Sequence, residues 1–511
     1  MTRHMTVALE VLIILLILFV PLAFGGTQYW AWTVMEAGVA AGLVMWLVIS
    51  LLNRRLCTVK TPLNIVIAVL LAYVFFQMVP LPAGIAGTLS KGVVALQATG
   101  NPGGEATAPS GLRVALSINR VETLQAWFRM LAYGGFFFLL VNFLDTRAKV
   151  GRVLGAAVLT GVLLTFLGMG TSAQQYPAVY RTWPTGDPTE NPSYLNARAD
   201  RQFSSGVGYE RPIAEEASVH WFVSKTHGGA AFGSFPSQNQ AAGFLLMLVP
   251  VALGAMFACL GTRRTEWGAS GGFLFSREGN LLLLSLMVSL VLMLGVVVTK
   301  SRGGVLVMSG FVMLLLVVVA FTGSWLKGVI TAVVVGLVLT TPMVVVGEAQ
   351  VVKTTREIAN LTMNPINEGK SVIWDASGRI AKDFALTGTG AGTYGSIYPL
   401  YNEGGPQAYF AYNDMLQFKV ENGWIGVILG GACLVIYLVT GVVGLVKMKD
   451  KFMRRVLLGT LVGTVALLAH SLMDYDLYVP ATAFVFVTLA AVTVVLAQDT
   501  NSRRTEEDFV F

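Results

Sequence analysis

Apolar residues run through this chain in long blocks, each closed by a few polar or charged positions, from one end to the other. A helix needs about 20 mainly apolar residues to cross the hydrocarbon core of a bilayer, so blocks of this length predict membrane-spanning helices. They fall at 8–25, 34–52, 63–82, 124–144, 153–169, 240–260, 281–299, 305–323, 325–347, 424–446, 456–474 and 479–497. The fold class expected is an all-α polytopic membrane protein of about twelve transmembrane helices. Two polar segments are too long to be connectors, and they divide the chain into 1–169 (five spans), the loop 170–238, 239–347 (four spans), the loop 348–423, and 424–511 (three spans and a tail). Arg3 and His4 precede the first block, but it runs on through Pro21 and Gly25 without a small-residue cleavage pattern. We read it as a retained first helix.

Composition agrees with this pattern, being 55% hydrophobic and only 12% charged over 511 residues, about half the charge of an ordinary soluble domain. The formal net charge of +7 is placed rather than spread. Arg54, Arg55 and Lys60; Arg147, Lys149 and Arg152; Arg263, Arg264 and Arg277; Lys447, Lys449, Lys451, Arg454 and Arg455; and Arg503 and Arg504 all fall in alternate short loops or the tail. Basic residues collect on the cytoplasmic side, which predicts cytoplasmic N- and C-termini and two long loops on the outer face. Positive charge is thus a sign of topology and of contact with anionic membrane lipids, with no nucleic-acid partner implied. Cys57, Cys259 and Cys433 all lie outside the long outer loops. No disulfide framework, cofactor motif or metal-ligand spacing follows from them.

Loops longer than about 15 residues are usually functional or disordered. Here they carry Trp183 and Trp221, then Trp374, Phe384, Tyr394 and Tyr398, a mixture that suits a packed cap. Within the second loop, Val372, Ile373, Ile380 and Phe384 recur at near-helical spacing and predict a short amphipathic helix over 370–385 on the membrane face. Every inner loop is short, so chemistry is expected outside. No internal repeat is visible, which weakens a transporter reading.

Several charged residues sit where a membrane chain rarely keeps them. Lys300 and Arg302, in Lys300-Ser301-Arg302-Gly303-Gly304, occupy a short outer turn, where basic residues are disfavoured. They either snorkel to headgroups or form an anion clamp, in which Arg makes bidentate bonds to phosphate and the glycines admit a close ligand. Arg129 in the fourth span carries the same two readings. His470 and Asp474, four apart on the eleventh span, share one helix face as a buried packing pair or an oriented proton acceptor. Gly390 to Gly395 match G-x-G-x-x-G without the strand and helix a dinucleotide site requires, so they read as tight-turn glycines. Asp474-Tyr475-Asp476 has the spacing of a metal-binding aspartate pair, a weaker reading than a helix end.

In order along the chain, Phe232 to Gln240, Ser301 to Gly304, Trp374 to Gly392, Tyr412 to Gln417 with Glu421-Asn422-Gly423, and His470 to Asp474 resemble the bacterial O-antigen ligases and O-antigen or exopolysaccharide polymerases. The resemblance is strongest over about 230–480. It implies a helical, GT-C-like glycosyltransferase with a carrier-lipid groove and an outer cap. It also implies diphosphate contacts from Arg302 and from Lys370, where the family has a second basic residue four before the loop tryptophan. Lysine keeps the charge there without the guanidinium fork. The family's histidine before Asn-Asp is replaced by Tyr412, a weak base at neutral pH. The base is then Asp414, Glu421 or His470, or Tyr412 only positions the acceptor.

The function expected is transfer of oligosaccharide from a polyprenyl-diphosphate donor to a glycan or lipid-core acceptor at the outer face of a bacterial inner membrane. Two long outer segments favour a polymerase over a ligase. Other polysaccharide-assembly proteins are expected partners, and no metal or cofactor is expected. The alternative is a transporter or flippase of lipid-linked glycans, which would carry charges deep in several helices, whereas these gather at outer ends.

Overall fold

The computed structural model describes residues 2–54, 58–99, 113–173, 231–261, 277–321, 368–403 and 408–499. The predicted span 325–347, most of the 170–238 loop, the start of the 348–423 loop and the C-terminal tail lie outside these residues. What is described is almost entirely helical: α1 (Thr2–Leu22), α2 (Tyr29–Leu52), α3 (Pro62–Phe76), α4 (Ala83–Leu89), α5 (Lys91–Thr99), α6 (Arg120–Phe143), α7 (Arg147–Ala173), α8 (Gln238–Gly261), α9 (Arg277–Val298), α10 (Arg302–Phe321), α11 (Glu368–Asp383), α12 (Tyr394–Ile397), α13 (Asp414–Lys447), α14 (Lys451–His470) and α15 (Pro480–Asp499). One antiparallel pair, Leu81–Pro82 with Arg113–Val114, is the only sheet among the described residues.

Nine described helices are long and apolar enough to cross a membrane, and the chain is an all-α polytopic membrane protein. The α3 helix is apolar but has only 15 residues, and α10 occupies the eighth predicted block. Three boundaries depart from the sequence reading. The third block stops at Phe76 instead of 82, because Gln77, wholly buried, turns away to bond the cap. The block at 424–446 belongs to the 34-residue α13, which starts at Asp414 and breaks at Gly423 (φ 60, ψ −166). The block at 456–474 ends at His470, so Asp474 is not on the helix.

Lipid offers helices little hydrophobic reason to associate, so close approach through small residues carries much of the packing. Gly254 of α8 and Gly459 of α14 face each other so tightly that a Cβ on Gly254 would lie 3.0 Å from the Gly459 Cα. This close approach sets the first half of α14 against the second half of α8. A core of fully buried apolar side chains, among them Ile13, Phe136, Phe244, Leu467 and Phe484, runs through the bundle, with Phe136 stacked on Phe484 at 4.0 Å. A second, separate core lies in the cap, where Ile373, Ile380 and Phe384 of the predicted amphipathic helix pack with Tyr394, Tyr398, Val93 and Val114. Val372 is left 45% exposed, so the apolar face of α11 serves the cap interior.

The two ends of the bundle differ in charge. Arg147, Lys149, Arg152, Lys451, Arg454 and Arg455 mark one end, and the cap covers the other.

Candidate functional site

The cap is pinned to the bundle where two chain segments cross. Gly388 (φ 73) and Gly423 (φ 60) both hold a left-handed conformation, and a Cβ on either would overlap the opposite backbone. Only glycine fits there. Around the crossing, the Tyr73 hydroxyl lies 2.9 Å from Thr387 O and 2.8 Å from Asn422 O, sharing its proton between them. Gln77 Nε2 donates to Thr387 O at 2.9 Å and Glu421 O at 3.2 Å, while its Oε1 accepts from Ala391 N at 3.2 Å. The G-x-G-x-x-G stretch follows directly on this crossing, with Gly390 N donating to Glu421 O at 2.9 Å and Ala391 N held by Gln77 at the end of α3.

Glu421 belongs to the same fastening. Its buried carboxylate accepts from Gly392 N (2.9 Å), Tyr478 Oη (2.9 Å), Gln417 Nε2 (3.2 Å) and Tyr394 N (3.4 Å). A carboxylate so fully engaged fixes geometry. Asp414, 3% exposed, ties the start of α13 to the turn after α14: its N donates to Ser471 O and its Oδ2 accepts from Leu477 N, both at 2.9 Å.

That turn, 471–479, is the floor of the site, and Lys370 of α11 reaches it by donating from Nζ to Met473 O at 2.7 Å. The same Nζ stands 5.1 Å from the Tyr412 ring centroid, within cation–π range. Trp374 Nε1 donates to Ala411 O at 2.8 Å and Gln417 Oε1 accepts from Ala411 N at 2.9 Å, which pins the approach to Tyr412. Tyr412 holds φ 52, and Lys300 holds φ 58. Such backbone in non-glycine residues costs on the order of 1–3 kcal/mol and concentrates at functional sites. Tyr412 meets Tyr475 edge-on at 5.2 Å, and Tyr475 stacks flat on Phe410 at 4.2 Å. Burial, with a lesser push from Asp474, raises the Tyr412 phenol above its ordinary value, so it is un-ionised at neutral pH.

His470 and Asp474 do not pair. Asp474 Oδ1 accepts from its neighbour Tyr475 N at 2.9 Å. The partner of His470 is Asp476, with Nδ1 2.6 Å from Oδ2 and both side chains enclosed at 1% and 0% exposure. Sequence reasoning missed this partner because it extended α14 four residues too far, which put Asp474 on the imidazole face. A cue was available in Pro480, which marks the start of the next helix and leaves 471–479 as a turn. Burial raises the Asp476 carboxyl above its usual range, opposed by the imidazole beside it. A Cβ on Gly243 of α8 would overlap the Asp476 carboxylate.

Ser301 caps α10, its Oγ accepting from Gly304 N at 3.2 Å, and Gly304 packs on Ala242 of α8. Arg302 is therefore the first residue of α10, exposed, beside Gly303, whose missing Cβ would lie 3.2 Å from His470 Nε2. Lys300 is exposed at the preceding position. Arg129 of α6 holds its guanidinium 4.1 Å over the Trp32 ring and interacts with Glu36 and with Tyr478 of the 471–479 turn. The structure thus gathers the Ser301–Gly304 turn, Lys370, Tyr412, His470 and the 474–476 turn at the capped end of the bundle. It puts Glu421 and Asp414 in the fastenings beneath.

Residues 286–429 match the family model of O-antigen ligase. No curated protein matches the chain. The matched stretch takes in Arg302, Lys370, Tyr412, Asp414 and Glu421 and stops before His470. The match covers 144 of the 511 residues and, with the polytopic helical fold, makes this part of the chain similar to the O-antigen ligase family.

Proposed function

We propose that this chain transfers oligosaccharide from a polyprenyl-diphosphate carrier to a growing glycan at the outer face of a bacterial inner membrane, as a polymerase. The observation that carries this reading is that two cation-bearing segments from distant parts of the sequence reach one end of α14: Lys370 of α11 bonds Met473 O, and Gly303, next to Arg302 on α10, lies against His470. The opposite end carries the basic loops that mark a cytoplasmic side, which gives the cap an outward orientation and both termini an inward one.

In this reading Arg302 holds the diphosphate with its fork and the Ser301-capped end of α10 adds its partial positive charge. Lys370 offsets the charge that develops on the leaving diphosphate. A diphosphate leaves readily once so neutralised, and these cations replace the usual metal. Glu421 and Asp414 act through the backbone they hold, and Lys300 and Arg129 sit outside the first contacts.

The test is to give the purified protein lipid-linked repeat units in detergent, where transport has no meaning. Longer glycans without any nucleotide sugar are expected. Conversion only with a lipid-core acceptor would make it a ligase, and none with any acceptor would favour transport. Cysteines introduced near 190 and 400 should react with an impermeant thiol reagent in spheroplasts and one near 452 should not; the reverse pattern would invert the orientation.

A further inference from the structure

The cap carries an open cavity of about 430 Å³ between one face of α11 and the segment 401–403. A site for a small molecule has a volume of about 300–1,000 Å³. Ser371, Asp375 and Arg379, spaced four apart on α11, line one side together with Val372 and Ala376, because residues at that spacing share a helix face. The opposite wall is tied down. Arg379 pairs with Glu403 and donates from Nη2 to Tyr401 O at 3.1 Å, and Tyr401 Oη donates to Asp383 Oδ2 at 2.6 Å. A space held open in this way is preorganised for a ligand.

The cavity begins beside the candidate site. Ser371 follows Lys370, whose Nζ donates to Met473 O at 2.7 Å, and Arg379 stands further along α11 by roughly 13 Å of helical rise. The lining is mixed in chemistry. The side chains of Asp375 and Glu403 are 75% and 79% exposed, so their carboxylates keep acceptor positions open beside the Arg379 contact. Val372, 45% exposed, and Ala376 add an apolar patch. Sugars present hydroxyl donors around a ring with apolar faces, and this wall answers both. Two carboxylates against one guanidinium leave an excess negative charge, which repels acidic sugars.

We propose that this cavity is the subsite for the acceptor glycan, an oligosaccharide without acidic groups, held along α11 so that its reacting end meets the site turn beside Lys370. The proposal rests on the glycosyl-transfer reading above and names where its second substrate lies.

The probe is the native repeat-unit oligosaccharide, released from its lipid by mild acid and given to the full-length protein in detergent. Val372→Trp fills the cavity from an exposed position, and Asp375→Ala removes an acceptor whose exposed ion pair adds little to stability. Each should weaken glycan binding, and raise KM for the acceptor, by about tenfold, the worth of one hydrogen bond to a charged group. Donor KM and kcat should stay within about twofold, since neither residue meets the diphosphate. Asp375→Asn, which keeps a carbonyl acceptor, should recover part of the affinity. Unchanged acceptor affinity in both Val372→Trp and Asp375→Ala overturns the proposal, as does failure of the unaltered protein to bind the released glycan. Tighter binding by Asp375→Asn, the mark of an acidic ligand, overturns the charge assignment. A protein that binds the glycan in this cavity yet extends none would sink the transfer reading and leave the subsite standing, so the two failures are distinct.

Discussion

The two ends of the helical bundle treat charge in opposite ways. At the basic end Arg147 meets Asp450 at 2.8 Å with side chains 62% and 33% exposed, and Lys149 meets Asp145 at 2.8 Å. Arg152 pairs with Glu10 in the same open setting. Exposed pairs of this kind contribute about 0–1 kcal/mol each. In the proposed topology their number matters more than their geometry, because basic residues set orientation in the membrane. At the capped end three charges of the site are held by fixed groups: Lys370 by a carbonyl, His470 by Asp476, Glu421 by two backbone amides and two side chains. One end uses charge as an address and the other as a tool, and substitutions should separate them.

The largest effect is expected from Arg302→Ala. Hydrogen bonds to charged groups are worth about 1.5–3 kcal/mol each, so losing a bidentate pair should slow glycan transfer by roughly two to four decades. Arg302→Lys should recover part, and Lys300→Ala should be much milder. Normal glycan from Arg302→Ala at normal protein levels would make it a headgroup anchor and erase the contrast between the ends. Next is Lys370→Ala, which removes one charge and its tie to Met473; a loss of about one to two decades in kcat is expected from a single electrostatic contact. An unchanged rate would confine the phosphate contacts to α10.

Tyr412→Phe should cost less than about threefold between pH 6 and 9, because a phenol raised by burial and by Asp474 is not a base in that range. A loss as deep as that of Arg302→Ala would restore Tyr412 to the proton chemistry. Smaller still, Arg147→Ala should change activity by less than twofold and thermal stability in detergent by less than about 1 kcal/mol. The smallest effect is none: with protein cations on the diphosphate, EDTA should leave the rate unchanged. Loss restored by magnesium or manganese would give the 474–476 carboxylates a metal instead.

The spans were legible because about 20 apolar residues in a row admit few other fates in a membrane. Their ends were harder, since each departure traces to a polar residue recruited by tertiary structure. Gln77 left α3 for the carbonyls of Thr387 and Glu421, contacts over three hundred residues away in sequence that no local pattern encodes. Asp414 opened α13 early because Asn413 caps it, with Oδ1 accepting from Leu416 N at 3.0 Å. In the site, Lys370 and Tyr412 stood out through the family resemblance, and Arg302 also through its unfavourable place. Asp476 did not, because helical spacing points to a residue four positions on only while the helix lasts. Glu421 was legible as a candidate base but not as a fastener, a role that depends on the crossing of Gly388 and Gly423.

The α3 helix has 15 residues and rises only about 22 Å, several ångströms short of the roughly 30 Å of hydrocarbon around it. Its end is tied to the cap by Tyr73 and Gln77 and is not free to slide toward the surface. A short span of this kind is met by local thinning of the bilayer or by flanking residues that reach out to the headgroups, at a modest cost for each ångström of mismatch. On the glycosyl-transfer reading, activity should then depend on acyl-chain length: membranes of short-chain lipid bring headgroups down toward the crossing, and thick, ordered membranes strain the joint that holds the cap in place.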